Sequence, residues 1–178
     1  AEFLTDKEDE IEEFILSFIR ERVAQRIATI TKRHDIIDAV VNSNTSSVPE
    51  QLKAAKVLSA VSESEEFKGI TEALNRVINI SAKAKDDASG EILEDRLETE
   101  SERNLVKAIQ ELNAKVGSLT PEELYSHLEA MAPKINDFFN ENMVMVDDEA
   151  TRRNRLRFLG LLSEIILDLA DFTSLIVK

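Results

Sequence analysis

The spacing of apolar residues constrains the fold of this chain more than any other feature. In the first segment, apolar side chains recur every three or four positions, at Ile11, Phe14, Ile15, Phe18, Ile19, Val23 and Ile27. This period is that of one face of an α-helix. Helix-breaking residues are scarce, since 178 residues include only 4 Gly and 3 Pro. The sequence therefore predicts an all-α protein, a helical bundle of about six to seven helices.

The same periodicity and the capping signals predict the helix boundaries. Helices are expected over residues 6–30, 35–41, 49–61, 66–81, 92–116, 120–142 and from 147 or 148 nearly to the end. Thr120, Pro121 and Glu123 form the clearest start signal, a capping box with proline in the first turn. Pro133 predicts a break or kink in the sixth helix, and Asp147 or Asp148 is expected to cap the last one.

The length fits one domain, so residues 1–178 are interpreted as a single helical unit. Residues 86–118 contain a stretch rich in glutamate that predicts a projecting helical insertion. Nothing in the chain resembles the alternating strands and glycine-rich loops of a nucleotide-binding α/β fold.

Composition excludes several functional classes. The chain has no cysteine, so disulfide scaffolds and cysteine-ligated metal sites are excluded. Lys plus Arg number 22 against 35 Asp plus Glu, giving a net charge of −13. This charge disfavours nonspecific binding to nucleic acids, DNA included, or to membranes. With no apolar run long enough to span a bilayer and an acidic N-terminal segment, we expect a cytoplasmic protein.

Few residues are candidates for catalysis. His34 and His127 are the only histidines, too few and too far apart for a metal-dependent hydrolase. We therefore expect no catalytic residue, no metal site and no cofactor in this chain. Phe138 and Phe139 are predicted to be core residues, together with Met143 and Met145.

Basic residues form three local clusters, although the net charge of the chain is negative. One cluster comprises Arg152, Arg153, Arg155 and Arg157, a second comprises Arg20, Arg22, Arg26, Lys32 and Arg33, and a third comprises Arg76, Lys83 and Lys85. Each can be a salt-bridged surface, or can hold RNA phosphates. An RNA site requires at least two clusters to converge in space.

The segment 135–156 has a more specific pattern. It resembles the C-terminal region of bacterial glycyl-tRNA synthetase beta subunits, which carry V-D-x-F-F-D-x-V-M-V-M-x-x-D followed by R-x-N-R-L. The matching residues are Phe138, Phe139, Met143, Val144, Met145, Asp148, Arg152, Asn154, Arg155 and Leu156. Weaker similarities follow the family's order at 18–22, 35–40, 76–80 and 170–175, although Asn75 stands where lysine is usual.

This resemblance implies an all-helical, DALR-type anticodon-binding domain, of the kind shared with arginyl-tRNA synthetases. It implies that the chain is part of a longer beta subunit in an alpha2beta2-type assembly. In that family the alpha subunit carries the glycine and ATP site, where ATP and magnesium are expected. The expected ligand is the anticodon arm of glycine tRNA, and the parent enzyme is a class II glycine–tRNA ligase.

The resemblance and the basic clusters together give the RNA-binding candidates. These are Arg20, Arg22, Arg26, Arg33, Arg76, Asn79, Arg152, Arg153 and Arg155. For Asn154 and Arg155, pairing with a neighbouring helix is an equally open interpretation. The competing hypothesis for the whole chain is a helical protein-interaction module that binds no RNA.

Overall fold

The computed structural model describes the backbone of residues 2–83 and 90–177, and their side chains from residue 11 onward except at residue 12. Within this part the chain forms seven α-helices and no β-strand, which confirms the all-α prediction. The helices are α1 (Glu2–Ile27), α2 (His34–Val41), α3 (Val48–Val61), α4 (Glu66–Ala82), α5 (Glu100–Asn113), α6 (Pro121–Glu141) and α7 (Glu149–Leu169).

Helix starts follow the capping chemistry of the sequence. Thr120 and Glu123 form the predicted capping box at the start of α6, with Pro121 in the first turn. Asp148 caps α7, where its side chain accepts a hydrogen bond of 2.7 Å from the Thr151 N–H. The first backbone N–H groups of a helix have no partner within the helix, and burying them without a partner is costly. The capping side chains accept hydrogen bonds from such groups and therefore determine where each helix begins.

The three helices α4, α6 and α7 form the centre of the bundle. α7 packs mainly against α4, and α6 packs against α3, α4, α5 and α7. Phe138 and Phe158 join α6 to α7, with ring centroids 5.3 Å apart in an edge-to-face arrangement. Both rings are fully buried, and burial of side chains of this size dominates the stability of a core.

Helix α1 lies at the edge of the bundle. It packs principally against α2 and α3 through its C-terminal part, where Val23 and Ile27 are buried. The preceding apolar side chains are exposed, namely Ile11, Phe14, Ile15, Leu16, Phe18 and Ile19. The helical period of this segment is as predicted, but its apolar face contacts no core.

The fifth helix is shorter than predicted. Residues 92–99 are not α-helical: Glu94–Arg96 form a 3₁₀ turn, and α5 begins only at Glu100. The reason is a second capping box, because Thr99 and Glu102 satisfy each other's backbone N–H groups. The described part of the predicted insertion, which excludes residues 86–89, packs α5 against α6 and α7 rather than projecting.

Two other boundary predictions concern helix ends. α6 has no break, because it continues through Pro133, which lies on the exposed side where water can bind the carbonyl left without a donor. The alternative, a kink at Pro133, stays a prediction. α7 ends at Leu169 instead of reaching the chain end, and a 3₁₀ turn follows at Phe172–Ser174. The turn is fixed by the Asp171 N–H, which donates to the Ala39 carbonyl at 2.8 Å, and by burial of Phe172.

The loop between α6 and α7 also differs from expectation. Phe138 and Phe139 are buried as predicted, but Met143 and Met145 are largely exposed. Val144 between them is buried instead, in a bend where the Val146 N–H donates to the Val144 carbonyl at 3.1 Å. Within the described residues, no helix has the length and apolar content needed to cross a membrane.

Candidate nucleic-acid interface

Helix α4 presents a polar edge along its C-terminal half. Arg76, Asn79 and Lys83 are exposed there, at intervals of three and four residues that place them on one side of the helix. Lys85, the last member of the predicted third cluster, lies outside the described residues. α4 thus brings one guanidinium, one amide and one ammonium group to the same surface.

This edge of α4 borders a groove against α7, which we call the α4–α7 groove. Its volume is about 1190 Å³, and it is lined by Asn79, Ser81, Arg157, Leu161, Glu164 and Asp168, among others. Asn79 lies between Arg76 and Lys83 of the third basic cluster, and Arg157 belongs to the Arg152–Arg157 cluster. The groove thus brings Arg157 of α7 beside Asn79 of α4, whereas Arg76 and Lys83 do not line it.

Acidic side chains line the far end of the α4–α7 groove. Burial raises the pKa of Asp168, and the nearby negative charge of Glu164 raises it further. The Ser81 hydroxyl is buried at the groove with no hydrogen-bond partner among the described residues. Phosphates are disfavoured beside these carboxylates, so any anionic ligand group belongs at the cationic end.

Arg76 stacks on an aromatic ring. Its guanidinium carbon lies 4.0 Å from the centroid of the Phe139 ring, a cation–π contact between α4 and α6. Phe139 is buried and meets Phe138 edge-on, with the centroids 5.1 Å apart. Among the described residues, no ion pair or hydrogen bond of the Arg76 guanidinium is found, so its N–H donors remain available.

The first turns of α7 carry partly exposed arginines. Arg152 Nη1 donates to the Val146 carbonyl at 3.3 Å, and Arg153 forms an exposed pair of 2.6 Å with Glu149. Arg157 Nη1 donates to the Glu91 carbonyl at 3.1 Å. The pKa of Asp148 is lowered, and the largest cause is the hydrogen bond from the Thr151 backbone N–H. The hydrogen bond from the Thr151 side chain and the positive charges of Arg96 and Arg152 lower this pKa further.

Arg155 joins α7 to α5, and Asn154 joins α7 to the loop at Leu93, instead of facing solvent. The Arg155 guanidinium is buried and pairs with Glu98 at 2.8 Å and with Glu102 at 2.6 Å. Asn154 binds both backbone groups of Leu93, accepting from its N–H at 2.7 Å and donating to its carbonyl at 2.9 Å. The two open interpretations were RNA binding and pairing with a neighbouring part of the fold. The geometry matches pairing, and Arg155 is not part of the exposed surface.

The α1 cluster lies elsewhere in the fold. Arg20, Arg22 and Arg26 are exposed on α1, and none of them lines the α4–α7 groove. The Arg22 guanidinium lies 5.2 Å from the Phe18 ring centroid on the same helix.

Arg33 ties the chain end to α2. Its guanidinium pairs with Asp35 at 2.6 Å and donates to the Ile176 carbonyl at 2.8 Å. Burial alone would raise the pKa of Asp35, but hydrogen bonds from Arg33 and the Ile176 N–H outweigh burial and lower it.

The histidines show no sign of a reactive site. His34 is exposed at the start of α2 and His127 is half-buried on α6. Over residues 2–83 and 90–177, no group of three or more His, Asp or Glu side chains is arranged to hold a metal ion.

Sequence reasoning placed Arg157 in a basic cluster but not among the final RNA-binding candidates, and it missed Glu164, Asp168 and Arg96 as parts of the surface. A signal was present for Arg157, Glu164 and Asp168, because positions 157, 161, 164 and 168 share one face of a helix. That face could be found from the spacing alone. No such signal existed for Arg96, whose position near Asp148 depends on the fold.

The sequence pattern of the DALR anticodon binding domain matches residues 70–171 of this chain. The chain belongs to the DALR anticodon-binding domain family. The matched residues include both walls of the α4–α7 groove, whereas Arg20, Arg22, Arg26 and Arg33 lie before them. The match therefore divides the candidate arginines of this DALR domain into two groups. Those on α4 and α7 lie inside the matched range, and those between residues 20 and 33 lie before it.

Curated relatives confirm the resemblance to glycine–tRNA ligase beta subunits. The beta subunit of Lactobacillus acidophilus is 35% identical over 169 residues, which is 95% of this chain and 24% of that protein. That of Lactiplantibacillus plantarum is 34% identical over 166 residues, 92% of this chain and 24% of that protein. That of Streptococcus pyogenes serotype M18 is 37% identical over 164 residues, 92% of this chain and 23% of that protein. The chain spans about a quarter of the length of these relatives.

Proposed function

We propose that this DALR domain binds the anticodon arm of a glycine tRNA at the α4–α7 groove. The observation that carries the proposal is that Asn79 of α4 and Arg157 of α7 line one groove inside the DALR-matched range. The curated relatives are named as glycine–tRNA ligase beta subunits, which supports glycine tRNA as the ligand.

The groove chemistry suits a single-stranded loop. Anticodon bases are unpaired, so their edges can form hydrogen bonds and their faces can stack. Arg157 in the groove and Lys83 just beyond α4 provide positive charge for the phosphates, and the Asn79 amide can both donate to and accept from a base edge. The Glu164 and Asp168 carboxylates can accept hydrogen bonds from base amino groups. The net charge of −13 repels RNA from the remaining surface.

The enzymatic context is part of the same proposal. The domain works within a longer beta subunit, beside an alpha subunit in an alpha2beta2-type assembly in the cytoplasm. The alpha subunit holds ATP and magnesium and attaches glycine to the tRNA. This chain contributes tRNA recognition, and none of its described residues is assigned a catalytic role.

The test is a binding titration of the chain with an RNA hairpin carrying a glycine anticodon. A second hairpin with the same stem but altered anticodon bases serves as the control. We expect discrimination of about tenfold or more, the contribution of one well-placed hydrogen-bonding pair. The logarithm of the binding constant falls linearly with the logarithm of the salt concentration, with a slope of about −0.7 per phosphate contact. Equal affinity for both hairpins would contradict anticodon recognition.

A protein-interaction module remains the second candidate, because one observation favours it. Six large apolar side chains of α1, between Ile11 and Ile19, are exposed, and such a stripe is typical of surfaces that contact another protein. A module of this kind binds neither hairpin at any salt concentration. The same titration therefore separates the two candidates.

A further inference from the structure

The Arg76–Phe139 contact has a geometry that an ordinary phosphate-binding arginine does not need. A phosphate requires only charge and N–H donors, which an extended arginine in solvent provides. Here the guanidinium lies 4.0 Å from the ring centroid of a buried phenylalanine, while the Arg76 side chain as a whole is exposed. One face of the guanidinium is thus covered by the ring, and the side chain is still accessible from solvent.

The aromatic support of Arg76 extends into the core. Phe139 contacts Phe138 with interplanar angle 60°, and Phe138 contacts Phe158 with interplanar angle 79°. Phe138 and Phe158 are fully buried, so the ring beneath Arg76 is held by the packing of α6 on α7. A long side chain that is already held loses less conformational entropy when it binds a ligand.

We propose that Arg76 stacks an unpaired RNA base on its outer face, in a three-layer arrangement of Phe139, guanidinium and base. This inference rests on the proposed function and assigns a role within the same interface. A planar guanidinium stacks on aromatic systems, whereas the ammonium group of lysine is a point charge without a plane. The ligand element is therefore a base freed from pairing, and paired stem nucleotides do not use this contact.

The neighbouring residue Asn79 fits this arrangement. It follows Arg76 by one helical turn and is exposed on the same side of α4. A base stacked on Arg76 presents its edge in the plane parallel to the guanidinium, where an amide can donate and accept hydrogen bonds. Stacking accepts any base, so Arg76 contributes affinity while Asn79 contributes selectivity.

The experiment compares Arg76→Lys and Arg76→Gln with the unchanged chain. Each is titrated across a salt series with the glycine anticodon hairpin and with a fully paired duplex of the stem sequence. Lys134→Gln is the matched control, because Lys134 is an exposed cation on α6 that does not line the α4–α7 groove. Circular dichroism establishes that each variant is folded. Arg76→Lys leaves the net charge unchanged and replaces the planar guanidinium by an ammonium group, which has no plane and has three N–H donors instead of five.

We expect Arg76→Lys to weaken hairpin binding by about tenfold, within the range measured for loss of one base–aromatic stack. The salt slope stays the same, and duplex binding is unaffected. A different result would overturn the proposal by assigning Arg76 to a phosphate. In that result Arg76→Lys binds the hairpin within twofold of the unchanged chain, and only Arg76→Gln loses affinity, with a smaller salt slope. Unchanged binding in both variants overturns it as well. If the unchanged chain itself binds no hairpin, the proposed function falls and the inference falls with it.

Discussion

The guanidinium of Arg155 in α7 donates a hydrogen bond of 2.6 Å from Nε to Oε1 of Glu102 in α5, with the two side chains 4% and 1% exposed. The other carboxylate oxygen of Glu102 accepts from the backbone N–H groups of Glu98 and Thr99 at 2.6 and 3.0 Å. One carboxylate thus caps α5 and pairs with α7. The start of α5 and the position of α7 are therefore fixed by the same group.

This pairing predicts a large loss of stability in Arg155→Met. The substitution leaves the Glu102 carboxylate buried without its cation, which costs about 3–5 kcal/mol of unfolding free energy. Urea unfolding followed by circular dichroism measures the loss. Arg153→Gln is the matched control, since Arg153 pairs with Glu149 in solvent. The control is expected to change stability by less than about 1 kcal/mol. Similar losses in both variants would show that the Arg155 pair does not hold the helices together.

A second prediction compares two phenylalanines. Phe138→Ala removes a fully buried ring that contacts Phe139 and Phe158, and is expected to cost about 3–5 kcal/mol of unfolding free energy. Phe14→Ala removes a ring that is 71% exposed, and we expect a change within about 0.5 kcal/mol. Urea unfolding of the two variants provides the comparison. A large loss in Phe14→Ala would mean that the α1 stripe is buried in solution.

The two comparisons illustrate what the sequence could and could not predict. Caps are local, so spacing alone identifies Thr120 and Glu123 and narrows the cap of α7 to Asp147 or Asp148. The role of Arg155 was undecidable, because its partners Glu98 and Glu102 lie more than fifty residues away in the chain. Periodicity likewise shows that Phe14 and Phe138 lie on apolar helix faces. It does not show which face meets another helix.

In the candidate site, too, some features could be predicted from the sequence and others could not. Arg76, Asn79, Arg152 and Arg153 were found from clustering and from the family resemblance. That Asn79 of α4 lines a groove with residues of α7 follows only from the packing of the two helices. The stack of Arg76 on Phe139 depends on a third helix, and no local signal could have indicated it.

The Arg33–Asp35 pair predicts a specific pH dependence of stability. The pKa of Asp35 is lowered in the folded protein from its ordinary value of 3.8. Its stabilising contribution is therefore complete above the unfolded-state pKa and is lost as pH falls through the lower folded-state pKa.

The variant Asp35→Asn tests this dependence. At neutral pH we expect a loss of about 1.5–3 kcal/mol, the range for hydrogen bonds to a charged group. The difference from the unchanged chain shrinks as pH falls below about 4, because the carboxylate becomes protonated in both states. Asp38→Asn, at an exposed position on the same helix, is the control. Urea unfolding at a series of pH values gives the curves. A difference independent of pH down to full protonation would contradict the role of the Asp35 charge.

The central claim is that the α4–α7 groove binds the anticodon arm, and Asn79→Asp tests it most directly. The substitution keeps the side-chain shape, adds one negative charge inside the groove and removes the amide donor. Asn113→Asp adds the same charge at an exposed position in α5, a helix that contributes no residue to the groove lining among the described residues. The measurement is the affinity of both variants for the glycine anticodon hairpin at fixed salt. We predict a loss of about tenfold or more for Asn79→Asp. We predict less than about twofold for Asn113→Asp, because its charge lies at an exposed position outside the groove and is screened by salt. Equal affinities for the two variants would contradict binding at this groove.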